Sequence, residues 1–165
     1  MSRIYVLKDE IDSGKTSTAL KWAKQYQNEG KSVGGILAQA IINDDRKTGY
    51  LALNLETGEK KLMASMNKIE NEGKISCGRF HFSEEGVRFA NHVLSEMKNK
   101  PDVVFIDEVG PLELKEKGLA RGIRNVLKNP PSVLFLIVRK SLVEQVCQYF
   151  QIENPDIIDT KSSRP

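Results

Sequence analysis

Arg3-Ile4-Tyr5-Val6-Leu7-Lys8-Asp9-Glu10-Ile11-Asp12-Ser13-Gly14-Lys15-Thr16 decides the fold. Its apolar run, Ile4 to Leu7, suits a strand buried on both faces. Gly14-Lys15-Thr16 is the second half of the phosphate-loop pattern G-x-x-x-x-G-K-[ST], placed just after the strand and opening a helix. Each residue type has a task there. Glycine lets backbone amides approach phosphates with no Cβ in the way. Lysine brings a positive charge to the β- and γ-phosphates, and the hydroxyl is an oxygen ligand for Mg²⁺. The helix beyond turns its positive N-terminus to the anion. The pattern's first glycine falls on Asp9, and Glu10 and Asp12 add further acids. A carboxylate within about 6 Å of a phosphate costs on the order of 1–3 kcal/mol at intermediate dielectric.

Outward from this stretch, strands and helices alternate. A helix is expected from Ser13 to Asn28, with Ala19, Trp22, Ala23 and Tyr26 inward and Gly30 capping it. Val33 to Ala38 reads as the second strand. Tyr50 to Leu55 and Lys61 to Met66 alternate around Thr57-Gly58, which predicts an antiparallel hairpin with Leu62, Ala64 and Met66 sharing a face. Ile75 to Phe82 suits a further strand, and Ser83 to Asn99 a helix. Val103 to Ile106 and Val133 to Val138 are all-apolar strands. Between them a helix is expected from Leu114 to Leu127, weakened by Gly118 and Gly122. Ser141 and Glu144 form a capping box for a helix bearing Val143, Val146 and Phe150. Ile157-Ile158 suits an edge strand, and Lys161 to Pro165 a loose tail. The fold class is α/β: a mostly parallel sheet with helices on both faces and an inserted antiparallel hairpin. One domain, 1–165, is expected, with the insertion at about 42–82. In such sheets ligands bind beyond the carboxyl ends of the strands.

The second motif lies at one of those ends. Val103-Val104-Phe105-Ile106-Asp107-Glu108 is an apolar strand finishing in two acids, the Walker B pattern. Asp107 would hold the Mg²⁺ shell together with Thr16, and Glu108 would polarise the attacking water as general base. Phe105-Ile106-Asp107-Glu108-Val109-Gly110-Pro111-Leu112-Glu113-Leu114 closely resembles the Asp-Glu-x-Gly-x-x-Glu signature of the small P-loop nucleoside-triphosphatases first described in thermophilic prokaryotes, whose animal relatives are cancer-related. Gly34-Gly35-Ile36, Arg46 with Gly49-Tyr50, Leu55-x-Thr57-Gly58 and Gly78-Arg79-Phe80 are similar to the same family, in order along nearly the whole chain. The resemblance implies a RecA-like or Rossmann-like P-loop fold. It also implies Mg²⁺-dependent hydrolysis of several nucleoside triphosphates, ATP and GTP among them, to diphosphate and phosphate. Lys15 and Glu108 would be catalytic. Asp12, Ser13, Gly14, Lys15, Thr16 and Ser17 would bind the nucleotide, and Thr16 and Asp107 the metal. Arg139 would lie near the base, a solvated loop arginine being the plainer reading. Asp9 departs from the family pattern.

Two other functions fit the same residues: a nucleotide-binding regulator whose degenerate loop no longer turns over, and a small-molecule or nucleoside kinase, which Glu108 and the lack of an arginine-rich lid disfavour. Arg46 and Arg79 are within reason as phosphate contacts from the hairpin side, while Arg121 and Arg124 read as part of a charged surface. His81 and His92 have no ligand cluster around them, Trp22 reads as packing, and Cys77 as a small strand residue. Of 165 residues, 39% are hydrophobic and 28% charged, which fits a soluble globular protein. A net charge of +3 does not point to nucleic acid. No run approaches the ~20 apolar residues of a membrane span, and the N-terminus lacks a secretory pattern, so a cytoplasmic location is expected. Cys77 and Cys147 make neither a disulfide framework nor a zinc site. No macromolecular partner is indicated.

Overall fold

A computed structural model describes residues 1–10, 14–67, 75–97 and 99–165. The elements in chain order are β1 (Arg3–Asp9), α1 (Lys15–Asn28), β2 (Val33–Asn43), β3 (Arg46–Asn54), β4 (Lys60–Ser65), β5 (Ser76–Cys77), β6 (Phe80–Phe82), α2 (Glu84–Ser95), β7 (Val103–Val109), α3 (Ala120–Lys128), β8 (Val133–Arg139), α4 (Val143–Tyr149) and β9 (Asp156–Ile158). The strands form one sheet in the order β5-β6-β4-β3-β2-β7-β8-β1-β9. From β2 to β9 every pairing is parallel; from β2 to β5 every pairing is antiparallel. The expected parallel sheet with an antiparallel hairpin is therefore present, and β2 itself is the strand that joins the two parts.

The all-apolar strands are buried on both faces, as their composition requires. Leu7, Phe105, Phe135 and Ile137 point to α1, where Ala19, Trp22, Ala23 and Tyr26 meet them. Phe135 stacks on Phe105 with centroids 4.6 Å apart, and Trp22 packs against it at 5.7 Å. Val6, Ile106, Leu134, Leu136 and Val138 face the other way, toward Ala90 and Leu94 of α2, Ile123 and Val126 of α3, and Val146 of α4. Helices thus cover both faces, α1 being the one on the phosphate-loop side among the described residues. Such alternation buries apolar surface worth roughly 1.5–3 kcal/mol for each large side chain.

Several elements differ from the sequence expectation. The single strand over Ile75 to Phe82 is two short ones, β5 and β6, turned at Gly78 and paired antiparallel. In β4, Met63 and Ala64 are buried while Leu62 is 40% exposed. Tyr50 pairs with Ala64 and Leu51 with Leu62, so Met63 is an extra residue that switches the face. α2 ends at Ser95 rather than Asn99; its start at Ser83, whose hydroxyl accepts from Gly86 N–H, is as read. The expected helix from Leu114 is a short 3-10 turn, Glu113–Lys115, then α3 from Ala120, because Glu116 and Gly118 take left-handed conformations between them. Ser141 does not cap α4: a 3-10 turn over Lys140–Leu142 precedes the helix, and Leu142 occupies the cap position. The tail is fixed rather than loose. Arg164 pairs with Glu29 and lies over the Tyr26 ring, and the Tyr26 hydroxyl donates to the Pro165 carbonyl at 2.5 Å.

Candidate active site

β8 stands between β1 and β7, so the tips of these three strands lie side by side. Asp9 pairs with Arg139, Asp107 with Ile137 and Val109 with Val138, the register slipping at Glu108. Chemistry-bearing residues from positions 9, 107, 108 and 139 therefore meet at one sheet end, and α1 begins beside it.

α1 starts at Lys15 behind Gly14, which holds a left-handed conformation (φ 86°). A Cβ there would be strained, which is the reason for glycine at the position. Among the described residues no side chain caps this helix start, and no acid occupies its first turn; helix-terminal amides and the positive dipole end favour an anion. Lys15 is buried, and its ammonium donates to the Glu10 carbonyl at 2.7 Å, with the Asp9 carbonyl 3.5 Å away. Ser17, in the first turn, is exposed. Asp12 and Ser13 lie outside the described residues.

Thr16 Oγ1 donates to Asp107 Oδ2 at 2.6 Å, and the Ala38 N–H donates to the same oxygen at 3.1 Å. Burial pushes the Asp107 carboxyl up to about 7, aided by the charge of Glu108 and opposed by the Thr16 hydroxyl, the Ala38 amide and Lys15. A carboxylate so placed gains by acquiring a cation. Hydroxyl and carboxylate oxygens are hard donors, which suit Mg²⁺; with one or two such protein groups the remaining ligands are ordinarily phosphate and water. Among the described residues no three His, Cys, Asp or Glu side chains gather into an all-protein metal cage.

Glu108 is partly exposed at the strand tip. Arg139, the residue with alternative readings near the base or in solvent, has its guanidinium 3.6 Å from Glu108 Oε1. Its Nε is buried without a hydrogen-bond partner among the described residues. Arg79 lies over the Phe80 ring in the turn between β5 and β6, at the opposite edge of the sheet from β1. Arg124 pairs with Glu116 and lies over Tyr149 and Phe150, and Arg121 is exposed.

Glu113 belongs to the signature, where the sequence alone assigns it no role. It is buried, and its two oxygens accept from the backbone N–H groups of Gly110 and Leu119, both at 2.8 Å. It thereby ties the segment after Glu108 to the start of α3. Gly118 has φ 57°, and a Cβ on it would come within 2.0 Å of Glu113 Oε2. The signal available in sequence was the spacing of Gly110, Glu113 and Gly118 after the Walker B strand; its meaning needed the turn.

With this geometry in place, similarity to known proteins becomes informative. The family model described as NTPase matches residues 5–159. The chain belongs to that family. It is 32% identical over 128 residues to the nucleoside-triphosphatase THEP1 of Pyrococcus abyssi, covering 77% of this chain and 69% of that protein. It is 26% identical over 152 residues to the protein of the same name in Methanopyrus kandleri, covering 92% and 76%. Among solved structures, it resembles THEP1 from Aquifex aeolicus with a TM-score of 0.69 and 21% identity, over 97% of this chain and 90% of that one. A human cancer-related nucleoside triphosphatase gives 0.71 and 19%, over 99% and 92%. These two likenesses establish the P-loop fold, and family membership makes the chain an enzyme of the nucleoside-triphosphatase class. Among the described residues no helix is long and apolar enough to cross a membrane.

Proposed function

We propose that the protein is an Mg²⁺-dependent nucleoside-triphosphate phosphohydrolase of broad base specificity, releasing diphosphate and phosphate. The observation that carries this reading is the 2.6 Å hydrogen bond from Thr16 to Asp107, which unites the start of α1 with the tip of β7. Lys15 and the first amides of α1 hold the β- and γ-phosphates. Thr16 and Asp107 would hold Mg²⁺, which when bound neutralises charge on the phosphate oxygens. Glu108 orients a water and takes its proton as that oxygen attacks the γ-phosphorus; the bond to the β-phosphate oxygen breaks and the diphosphate leaves. Arg139, close to Glu108, brings positive charge to the same place. Every one of these groups acts on phosphate or water, which supports tolerance of different bases.

The degenerate-loop reading is motivated by the acids Asp9, Glu10 and Asp12, of which Asp12 lies outside the described residues. Both carboxylate oxygens of Asp9 are engaged by other groups, one by Thr160 and one by the Glu10 N–H, which favours turnover over the regulator. The test is phosphate release from ATP, GTP, CTP and UTP with and without Mg²⁺, in wild type and Glu108→Gln. Retained nucleotide binding with most phosphate release lost is expected for the variant. An unchanged rate removes Glu108 from the mechanism, and phosphate transfer to a nucleoside in place of water would favour the kinase.

A further inference from the structure

Asp9 occupies the position where a phosphate loop carries its first glycine, and the fold provides it with a partner from the far end of the chain. Thr160 Oγ1 donates to Asp9 Oδ2 at 2.6 Å. Asp9 Oδ1 accepts from the Glu10 N–H at 2.9 Å. The contact is built into the sheet. β9 runs parallel to β1 with Leu7 opposite Ile158, and two residues further along each chain stand Asp9 and Thr160.

The segment bearing Thr160 is itself held. Asp159 accepts from the Lys161 N–H at 2.8 Å, and the Ser162 hydroxyl accepts from the Asp159 N–H at 3.0 Å. Beyond this turn Arg164 binds Glu29 and covers Tyr26, both near the end of α1. The C-terminal segment therefore contacts the loop before α1 and the last turns of the same helix.

We propose that Thr160 is a positioning residue for the phosphate loop: its hydroxyl holds the Asp9 carboxylate out of the triphosphate cradle, so that a loop with an acid in place of its first glycine still binds a polyphosphate. This rests on the triphosphatase reading above. The physical need is plain. Lys15 is a cation whose field reaches the Asp9 carboxylate, and its ammonium already sits among the carbonyls of Asp9 and Glu10. A carboxylate released from Thr160 competes with phosphate for Lys15 and repels the phosphate directly. With Thr160 in place its charge is satisfied at the outer edge of the loop, and the hydrogen bond holds Asp9 below the usual carboxylate range, fixed as an acceptor.

The experiment is a cycle of variants read by calorimetric binding of a non-hydrolysable ATP analogue with Mg²⁺. Thr160→Val should raise the dissociation constant about tenfold at low salt and less at high salt, since the penalty is electrostatic. Thr160→Ser, which keeps the donor, should bind as wild type does. In an Asp9→Gly or Asp9→Asn background, Thr160→Val should cost nothing further. Thermal unfolding of each variant confirms a folded protein, and Thr160→Ala serves if the valine variant does not fold. An equal penalty with and without the Asp9 charge, or none with it, overturns the proposal while leaving the triphosphatase reading intact. A wild type that neither binds the analogue nor releases phosphate defeats both.

Discussion

The Thr16 hydroxyl donates to Asp107 across 91 positions of sequence, joining the phosphate loop to the Walker B strand without an intervening residue. The bond gives Asp107 a donor inside a buried site. Thr16→Val removes both the donor and the oxygen proposed to ligate Mg²⁺, while Thr16→Ser restores them. Phosphate release by the valine variant should fall on the order of 10²-fold or more, with the serine variant near wild type. Similar rates for the two variants would remove the hydroxyl from the site.

Lys15 should dominate ground-state binding. It is buried, and among the described residues its ammonium donates to carbonyl oxygens. Lys15→Ala should abolish nucleotide binding measured by calorimetry while the thermal transition persists, because its hydrogen bonds among the described residues are to one local loop.

Arg139 separates two modes of action by which kinetic constant it moves. Its guanidinium lies 3.6 Å from Glu108, and a group acting there serves the step common to every nucleotide. Arg139→Ala should therefore lower kcat about 10- to 100-fold by a similar factor for ATP, GTP, CTP and UTP. An arginine stacked on the base would instead change KM, and by different factors for purines and pyrimidines. Steady-state phosphate release with all four substrates decides between them.

What could be read from the sequence was what local pattern controls. The apolar runs at Val103 to Ile106 and Val133 to Val138 became β7 and β8, the two central parallel strands, because uninterrupted apolar residues have no solvent face to turn outward. Gly14-Lys15-Thr16 and Asp107-Glu108 were legible as patterns because their residue types and spacing recur at the start of a helix and the tip of a strand, and the fold brings Thr16 and Asp107 together. The converse cases depend on contacts that no periodicity encodes. Thr160 meets Asp9 only because β9 docks on β1, and Arg164 meets Glu29 over 135 positions. Met63 shifts the face of β4 through one extra residue, which alternation of Leu62, Ala64 and Met66 conceals. Ser141 and Glu144 satisfy a capping pattern, yet the chain uses Lys140–Leu142 for a tighter turn instead.

The C-terminal anchor should contribute modestly to stability. Arg164 combines an ion pair to a half-exposed Glu29 with a guanidinium 4.3 Å from the Tyr26 ring centre. Exposed pairs are worth about 0–1 kcal/mol and such cation–π contacts about as much. Arg164→Ala should lower Tm by roughly 2–6 °C, converting at the slope for a domain of this size. No change in Tm would mean that the tail contacts contribute nothing to the folded state.

Glu113 gives the stability a pH dependence of definite sign. Burial is the main cause that pushes its carboxyl up to about 7, against the two N–H groups that favour the charge, with Glu108 adding to the rise. In the unfolded chain the same group ionises near 4.5. Between these values the folded protein holds a proton that the unfolded chain has released, so the unfolded state binds fewer protons and stability falls as pH rises through the window. Glu113→Gln cannot titrate. It also turns an amide donor toward one of the N–H groups of Gly110 and Leu119, leaving a buried donor unpaired at a cost of about 1–3 kcal/mol. The variant should thus be less stable than wild type at pH 4.5, with the gap narrowing as pH approaches 7.5. Asp107, also held at about 7, imposes the same slope on both proteins and cancels in the difference. Thermal unfolding of the pair across that range measures the gap directly. A gap that widens with pH would show instead that the two amides outweigh burial and that Glu113 is ionised throughout.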